Sequence, residues 1–453
     1  MSILIAILAI LFVLGVAINI HELGHFFIAK LFGMRVEAYS FFGLGPRLFG
    51  VKIGNTDYRV SAIPLGAYVK LYGDEATGPL EGGESKGEAV PESELYELRP
   101  RWQKFFVMLG GPFMNIVLAL AIPFALALIY GIPSNPAPIV GYVEPGGAAD
   151  KAGIEAGDRI VYFNGVENPS WQRIQDDALL LPEKPVTITV ERNSDQMGLT
   201  ISPTKVTEHG QSAGFLDMAA DSGTEPVIVG SIDPDLPAAA SGVKPGDWIT
   251  SVNDKAIRNV QEMKNIVRES KDAPIKLAIN RNGARMEITT TAGQKDGEWR
   301  IGVGFDPNLF DKREPASVAG AIGWAVDQNL RILRLTGTAL GQVGSGERSA
   351  RDTVSGPVGI VQIIVQTALA SGILGLLSVL MAISLSLGVM NLLPIPMLDG
   401  GQIMVLGVEK VMSWFGRTLS MVAKERIQLT GLAIVLLLVI TVTFFDVSRL
   451  VSK

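Results

Sequence analysis

The 453-residue chain predicts a multi-pass α-helical membrane protein with four transmembrane helices, a membrane-associated β-hairpin region and two extramembrane α+β domains. Three observations carry this expectation. Hydrophobic residues make up 48% of the chain and charged residues only 19%, a balance found in membrane proteins that keep a substantial water-exposed part. Four apolar runs are long enough to cross about 30 Å of hydrocarbon. Between the second and third runs the composition turns soluble, and one residue pattern occurs there twice at a constant spacing.

Composition also excludes some functions. A net charge of −6 leaves no basic face, which disfavours nucleic acid as a partner. Cysteine is absent, so disulfides, thiolate metal sites and cysteine nucleophiles are ruled out.

The first span, 1–32, is the element around which the rest is arranged. Its apolar run, residues 3–20, leads directly into His21-Glu22-Leu23-Gly24-His25. No Lys or Arg precedes Lys30 and no small-residue cleavage site follows the run, so it reads as a retained helix and not a cleaved leader. Ionisable groups inside a membrane helix are costly and mark function. Residues i and i+4 share a helical face, so His21 and His25 can converge on one metal ion with Glu22 beside them. That is the arrangement of a metal-activated hydrolase, two ligands and a general base. Chance produces such a motif in a chain of this length on the order of once in a hundred sequences.

A catalytic zinc takes three protein ligands. The remaining histidine, His209, lies in a polar stretch and reads as a solvated loop residue. Asp399 is the better candidate, at the end of Asn391-Leu-Leu-Pro394-Ile-Pro396-Met-Leu-Asp399-Gly-Gly. Taken alone it could equally be an interfacial cap or turn residue.

In chain order, residues 33–73 alternate apolar and polar positions around Gly54-Asn55, which reads as β-hairpins beside the first helix end. Their free edge could pair with an extended peptide or be purely structural. Residues 74–102 form an acidic linker rich in Gly, Glu and Pro. The second span, 103–132, contains Gly110-Gly111, which permit close helix approach. Its Asn115 reads as a helix-packing residue, with substrate positioning as the alternative. In the soluble part, Ile139, Pro145, Ala149, Gly153, Gly157-Asp158, Ile160 and Asn164 recur as Ile228, Pro234, Ala238, Gly242, Gly246-Asp247, Ile249 and Asn253. This defines two copies of one domain, 133–222 and 223–309. Residues 310–357 hold an amphipathic helix, outside or on the membrane, and a loop. A lead-in segment and third membrane helix fill 358–398, an interfacial segment 399–428, and the fourth span 429–448.

Basic residues set the orientation. Lys30, Arg35, Arg99, Arg101 and Lys104 flank two helix ends, whereas none lies between Lys104 and Lys151 or between Arg351 and Lys410. The positive-inside rule then puts 31–104 and 398–428 in the cytoplasm, with both repeats and both termini outside. His25 and Asp399 fall at similar depth, so three ligands can meet there.

Together these motifs resemble the site-2 protease family of intramembrane zinc metalloproteases, in the branch with tandem PDZ domains, and the likeness covers essentially the whole chain. The Ala-x-x-x-Gly-x-x-x-Gly-Asp-x-Ile repeat resembles PDZ domains of bacterial proteases, modules that bind extended peptide ends. The resemblance implies that His21, His25 and Asp399 bind zinc, that Glu22 is the general base, and that Asn391, Pro394 and Pro396 contact substrate. It implies a transmembrane substrate, an anti-sigma factor already trimmed on its periplasmic side, cleaved at the inner membrane in envelope-stress signalling. The β-region would clamp the substrate, and the PDZ-like pair would be a periplasmic gate. A zinc-free scaffold that senses periplasmic peptides is the alternative, but it needs none of the four polar residues. An ion-coupled transporter predicts inverted repeats, and the visible repeat is direct.

Overall fold

The structure is a computed structural model and describes residues 2–41, 43–63, 66–73, 90–208, 211–221, 227–257, 259–295, 298–305, 313–417 and 419–451. Most of the acidic linker and His209 lie outside the described residues. Two compact units result, one from Met1–Tyr130 with Ala316–Lys453, the other from Gly131–Pro315.

The first unit is built on helices. Among the described residues, four are long and apolar enough to cross a membrane: Ile3–Leu31, Arg101–Tyr130, Pro357–Asn391 and Val422–Arg449. The chain is a membrane protein. Helix α1 (Ser2–Leu31) is followed by strands β1 (Val36–Ser40), β2 (Leu44–Ile53), β3 (Thr56–Ile63) and β4 (Tyr68–Leu71), and then by α2 (Arg101–Tyr130). After the second unit come α3 (Val318–Gly344), α4 (Pro357–Asn391), α5 (Asp399–Trp414) and α6 (Met421–Val451). Ala9, Val13 and Ala17 of α1, Ile122 of α2, and Ile364, Leu376 and Leu380 of α4 form one buried cluster. Small residues on α1 let the helices close up. At Gly24 a side chain would run into the main chain of Gly110, so α1 and α2 touch backbone to backbone just where the histidines sit.

The four strands form one sheet in the order β2-β3-β1-β4. The β2–β3 hairpin turns at Gly54, whose φ of 61° favours glycine. The β1–β3 pair is parallel, with Ala38 opposite Asp57, a pairing that hairpin patterning does not reveal. Tyr39 donates its hydroxyl to the Asn19 carbonyl at 3.1 Å and ties the sheet to α1.

Helix α4 is two helical pieces joined at Gly372, where φ 57° and ψ −143° break the helix. Its first turn is held from a distance. The Asp446 carboxylate on α6 accepts from the Gly356 N–H at 3.0 Å and the Gly359 N–H at 2.8 Å, satisfying donors that a helix start leaves open. Arg449 pairs with the same carboxylate and donates to the Val354 carbonyl at 3.0 Å. Helix α3, expected outside or on the membrane, packs into this unit: buried Asn329 donates to the Ala119 carbonyl of α2 at 3.0 Å. Its charges, Asp327, Arg331 and Arg334, hide that contact from a hydropathy reading.

In the second unit the repeat extends beyond the pattern visible in sequence. Strands Arg159–Phe163, Val186–Arg192 and Asp195–Ile201 of the first copy correspond to Trp248–Val252, Ile275–Arg281 and Ala284–Thr290 of the second. Each copy has its own buried core, around Phe163, Ile174 and Ile188 and around Ile249, Met263 and Leu277. Each also has the same ion pair on a buried aspartate. Arg192 grips Asp158 through Nε at 2.6 Å and Nη2 at 2.8 Å and donates to the Gly153 carbonyl at 2.8 Å. Arg281, Asp247 and Gly242 repeat this at 2.6, 2.8 and 2.8 Å. Such bidentate pairs fix geometry as well as charge. The Arg281 hydrogen bond holds the Asp247 carboxyl below the usual aspartate range. Burial pushes Asp158 up, but the bonds from Arg192 and the Glu155 N–H outweigh it, and its carboxyl is also held low.

Candidate active site

His21 and His25 lie one turn apart on α1, buried to 8% and 9% exposure. Their Nε2 atoms are 3.2 Å apart and the rings meet edge to face. Asp399 opens α5, reached from α4 through residues 392–398, where Met397 has a φ of 83°. Holding methionine in the left-handed region costs about 1 kcal/mol or more, so the surroundings must impose it. They do: side chains at Gly400, Gly401 and Gly431 would collide with main-chain atoms of Leu392, Ile395 and Pro396 respectively. The turn is wedged between α5 and α6, and Asp399 is thereby aimed at α1. Its Oδ2 lies 3.1 Å from His21 Nε2 and its Oδ1 3.5 Å from His25 Nε2.

These three residues form a group whose ligating atoms all fall within 4.8 Å of one another. Two nitrogens and a carboxylate facing one point fit a tetrahedral zinc, for which Zn–N distances of about 2.0–2.1 Å put neighbouring ligand atoms about 3.3 Å apart. Gly111 of α2 lets the second helix approach the pair: a side chain at that position would overlap both imidazoles. The buried Asp399 Oδ2 accepts no hydrogen bond, as expected of an atom kept for a cation.

The imidazoles are oriented from behind. His25 Nδ1 lies 2.7 Å from the Val107 carbonyl. A carbonyl only accepts, so Nδ1 carries the proton and Nε2 keeps its lone pair for a ligand. Pro112, one residue beyond Gly111, has no N–H to give the Met108 carbonyl four residues back. His21 Nδ1 faces the carboxamide of Asn115 at 3.2 Å. Glu22 projects from the same turn.

The structure therefore brings His21, Glu22, His25 and Asp399 to one place. Asn391 closes α4, Pro394 is exposed and Pro396 half-buried in the following turn. None of these three touches the His–His–Asp group through a hydrogen bond among the described contacts. Sequence reasoning missed Val107, which acts through its main-chain carbonyl and leaves no motif. The Gly110-Gly111 pair and Asn115 were the visible signal for the second helix's part in the site.

The profile of peptidase family M50 matches residues 9–438, and the chain belongs to that family, the site-2 type of zinc metalloprotease. A Neisseria meningitidis protein named "Putative zinc metalloprotease NMA0084" is 30% identical over 98% of this chain and 99% of its own length. The Escherichia coli "Regulator of sigma-E protease RseP" is 29% identical over 96% of this chain and 97% of its own. A PDZ domain of the SdrC-like protein of Listeria monocytogenes matches with 26% identity over 19% of this chain and 92% of that one, at a TM-score of 0.17.

Proposed function

We propose that this protein hydrolyses a peptide bond inside the transmembrane segment of a membrane protein, with His21, His25 and Asp399 holding zinc and Glu22 as general base. The convergence of three ligating atoms from α1 and α5 in a bundle of membrane helices carries this reading. When bound, zinc would supply Lewis-acid polarisation of water and of the scissile carbonyl. Glu22 takes the proton of the attacking water and hands it to the leaving amine, a role that needs a carboxylate within reach of both. The irregular segment with Asn391, Pro394 and Pro396 precedes Asp399 directly and offers main-chain groups to an extended substrate, since prolines cannot close helical hydrogen bonds.

The substrate is an anti-sigma factor already trimmed outside, in keeping with the name of the Escherichia coli relative. Basic residues around α1, α2 and α5 support a bacterial inner-membrane orientation with the zinc site toward the cytoplasm and the repeats in the periplasm. There the PDZ-like pair admits trimmed substrates or binds their ends. The test is cleavage of a membrane-anchored reporter carrying an anti-sigma factor's transmembrane segment. Wild type should shorten it and Glu22→Gln should not; equal cleavage by both removes Glu22 from the chemistry.

A further inference from the structure

Neutral imidazole has one N–H and one lone pair, so His21 presents a lone pair at Nε2 only if Nδ1 carries the proton. That proton needs an acceptor. His25 has one in Val107. For His21 the group in reach is Asn115, whose amide nitrogen lies 3.2 Å from Nδ1. In that orientation two donors would face each other. A second conflict sits on the far side of the same carboxamide: the single proton of the Ser384 hydroxyl meets two acceptors, the Asn115 carbonyl at 3.0 Å and Asn115 Oδ1 at 3.4 Å.

Turning the carboxamide by half a revolution resolves both conflicts. Oδ1 then accepts from His21 Nδ1–H, and Nδ2 donates to a lone pair of Ser384 Oγ. The hydroxyl proton stays on the Asn115 carbonyl. The exchange swaps two atoms of nearly equal size, so it leaves the packing unchanged, and hydrogen bonding alone selects the orientation. Asn115 and Ser384 are both fully buried, which leaves no water to serve an unpaired group and makes the choice decisive.

We propose that Asn115 is a positioning residue for the metal centre. Its Oδ1 fixes His21 in the Nδ1–H tautomer that turns Nε2 toward the ion, and Ser384 of α4 fixes the carboxamide. The inference rests on the zinc reading above and assigns α2 and α4 a part in a site whose ligands lie on α1 and α5. Partners of this kind change metal affinity by about 10–100-fold when removed.

The experiment uses the full chain purified in detergent, with zinc retention measured by chelator competition and the ligand field read from the visible spectrum of the cobalt-substituted protein. Asn115→Leu keeps the branched shape and loses the acceptor; zinc affinity should fall 10–100-fold and the cobalt bands should shift. Asn115→Asp keeps the acceptor and should hold wild-type affinity or exceed it. Ser384→Ala should give a smaller loss in the same direction. A pure packing role predicts lowered melting of the apo-protein in the Leu and Asp variants alike, with chelator competition unchanged. Wild-type affinity in Asn115→Leu, or an equal loss in Asn115→Asp, overturns the inference. If Asn115→Leu does not fold, Asn115→Ala takes its place with the same expected and overturning results. Wild-type protein that binds no zinc would instead sink the metal-centre reading itself, a different outcome from equal binding by wild type and variant.

Discussion

Gly111→Ala probes whether the space between α1 and α2 is cut to the size of an ion. The added methyl would lie 2.7 Å from His21 Cε1 and 2.8 Å from His21 Nε2, and closer still to His25 Nε2. Non-bonded atoms of this size rest about 3.5 Å apart, so the His21 ring must retreat by roughly 0.7 Å and the His25 ring by more. They have little freedom to do so, because His25 Nδ1 is bonded to the Val107 carbonyl and His21 Nδ1 packs on Asn115. A retreat of that size is large against a Zn–N bond of about 2 Å. Zinc affinity should fall at least about 100-fold, equivalent to about 2.7 kcal/mol. The helix itself is not weakened, since Ala is favoured over Gly in a helix interior by about 1 kcal/mol. The assay pairs chelator competition on detergent-purified protein with thermal unfolding of the zinc-free form. Loss of zinc with unchanged or raised apo-protein stability is the expected result. An alanine variant that keeps wild-type zinc affinity refutes the claim that Gly111 lines the metal position.

Gly24→Ala should behave differently, because its methyl meets the Gly110 main chain, which cannot swing aside. Reduced accumulation in membranes and a lower melting temperature should accompany any loss of zinc. Asp446→Ala removes the acceptor that caps α4 and strands Arg449, both buried; denaturant titration should show a loss of about 3 kcal/mol, and Asp446→Asn a smaller one. In the repeats, Asp158 and Asp247 are held below the usual aspartate range by their arginines. Their stabilisation is complete above the unfolded-state value and fades as pH falls through the folded one, so the repeats should melt progressively earlier below about pH 4. The double variant Asp158→Asn, Asp247→Asn should flatten that dependence, which near-UV circular dichroism of the full chain would follow.

Local spacing made some of the site legible and long-range packing hid the rest. His21, Glu22 and His25 are readable because i and i+4 share a face of any helix, whatever surrounds it. Asp399 became readable only through topology: alone it is a turn carboxylate, and charge asymmetry along the chain is what set it at the depth of His25. Val107 was out of reach, since it contributes a main-chain group that any residue carries. The repeated Asp–Arg pair shows the intermediate case. Asp158 and Asp247 stand inside the recurring pattern, whereas Arg192 and Arg281 keep the same offset further along the chain, past a stretch in which few positions match.

Helix α3 and the break at Gly372 show why hydropathy located the spans but not how they pack. A window average cannot distinguish charges that face water from charges that flank a buried stripe, and α3 buries Ala321, Ala325 and Asn329 on the side that joins the bundle. A window average also does not show whether the uncharged run from 357 to 391 bends, although a lead-in segment ahead of the third span was expected there. The break follows from one residue able to adopt φ 57° and from a helix start pinned to Asp446 on α6. With both ends of 357–371 so defined, the lead-in piece and the spanning piece of α4 can differ in direction. That leaves the Ser384-to-Asn391 end free to be set by its contacts with Asn115 and, through the wedged turn, by the demand that Asp399 reach the histidines.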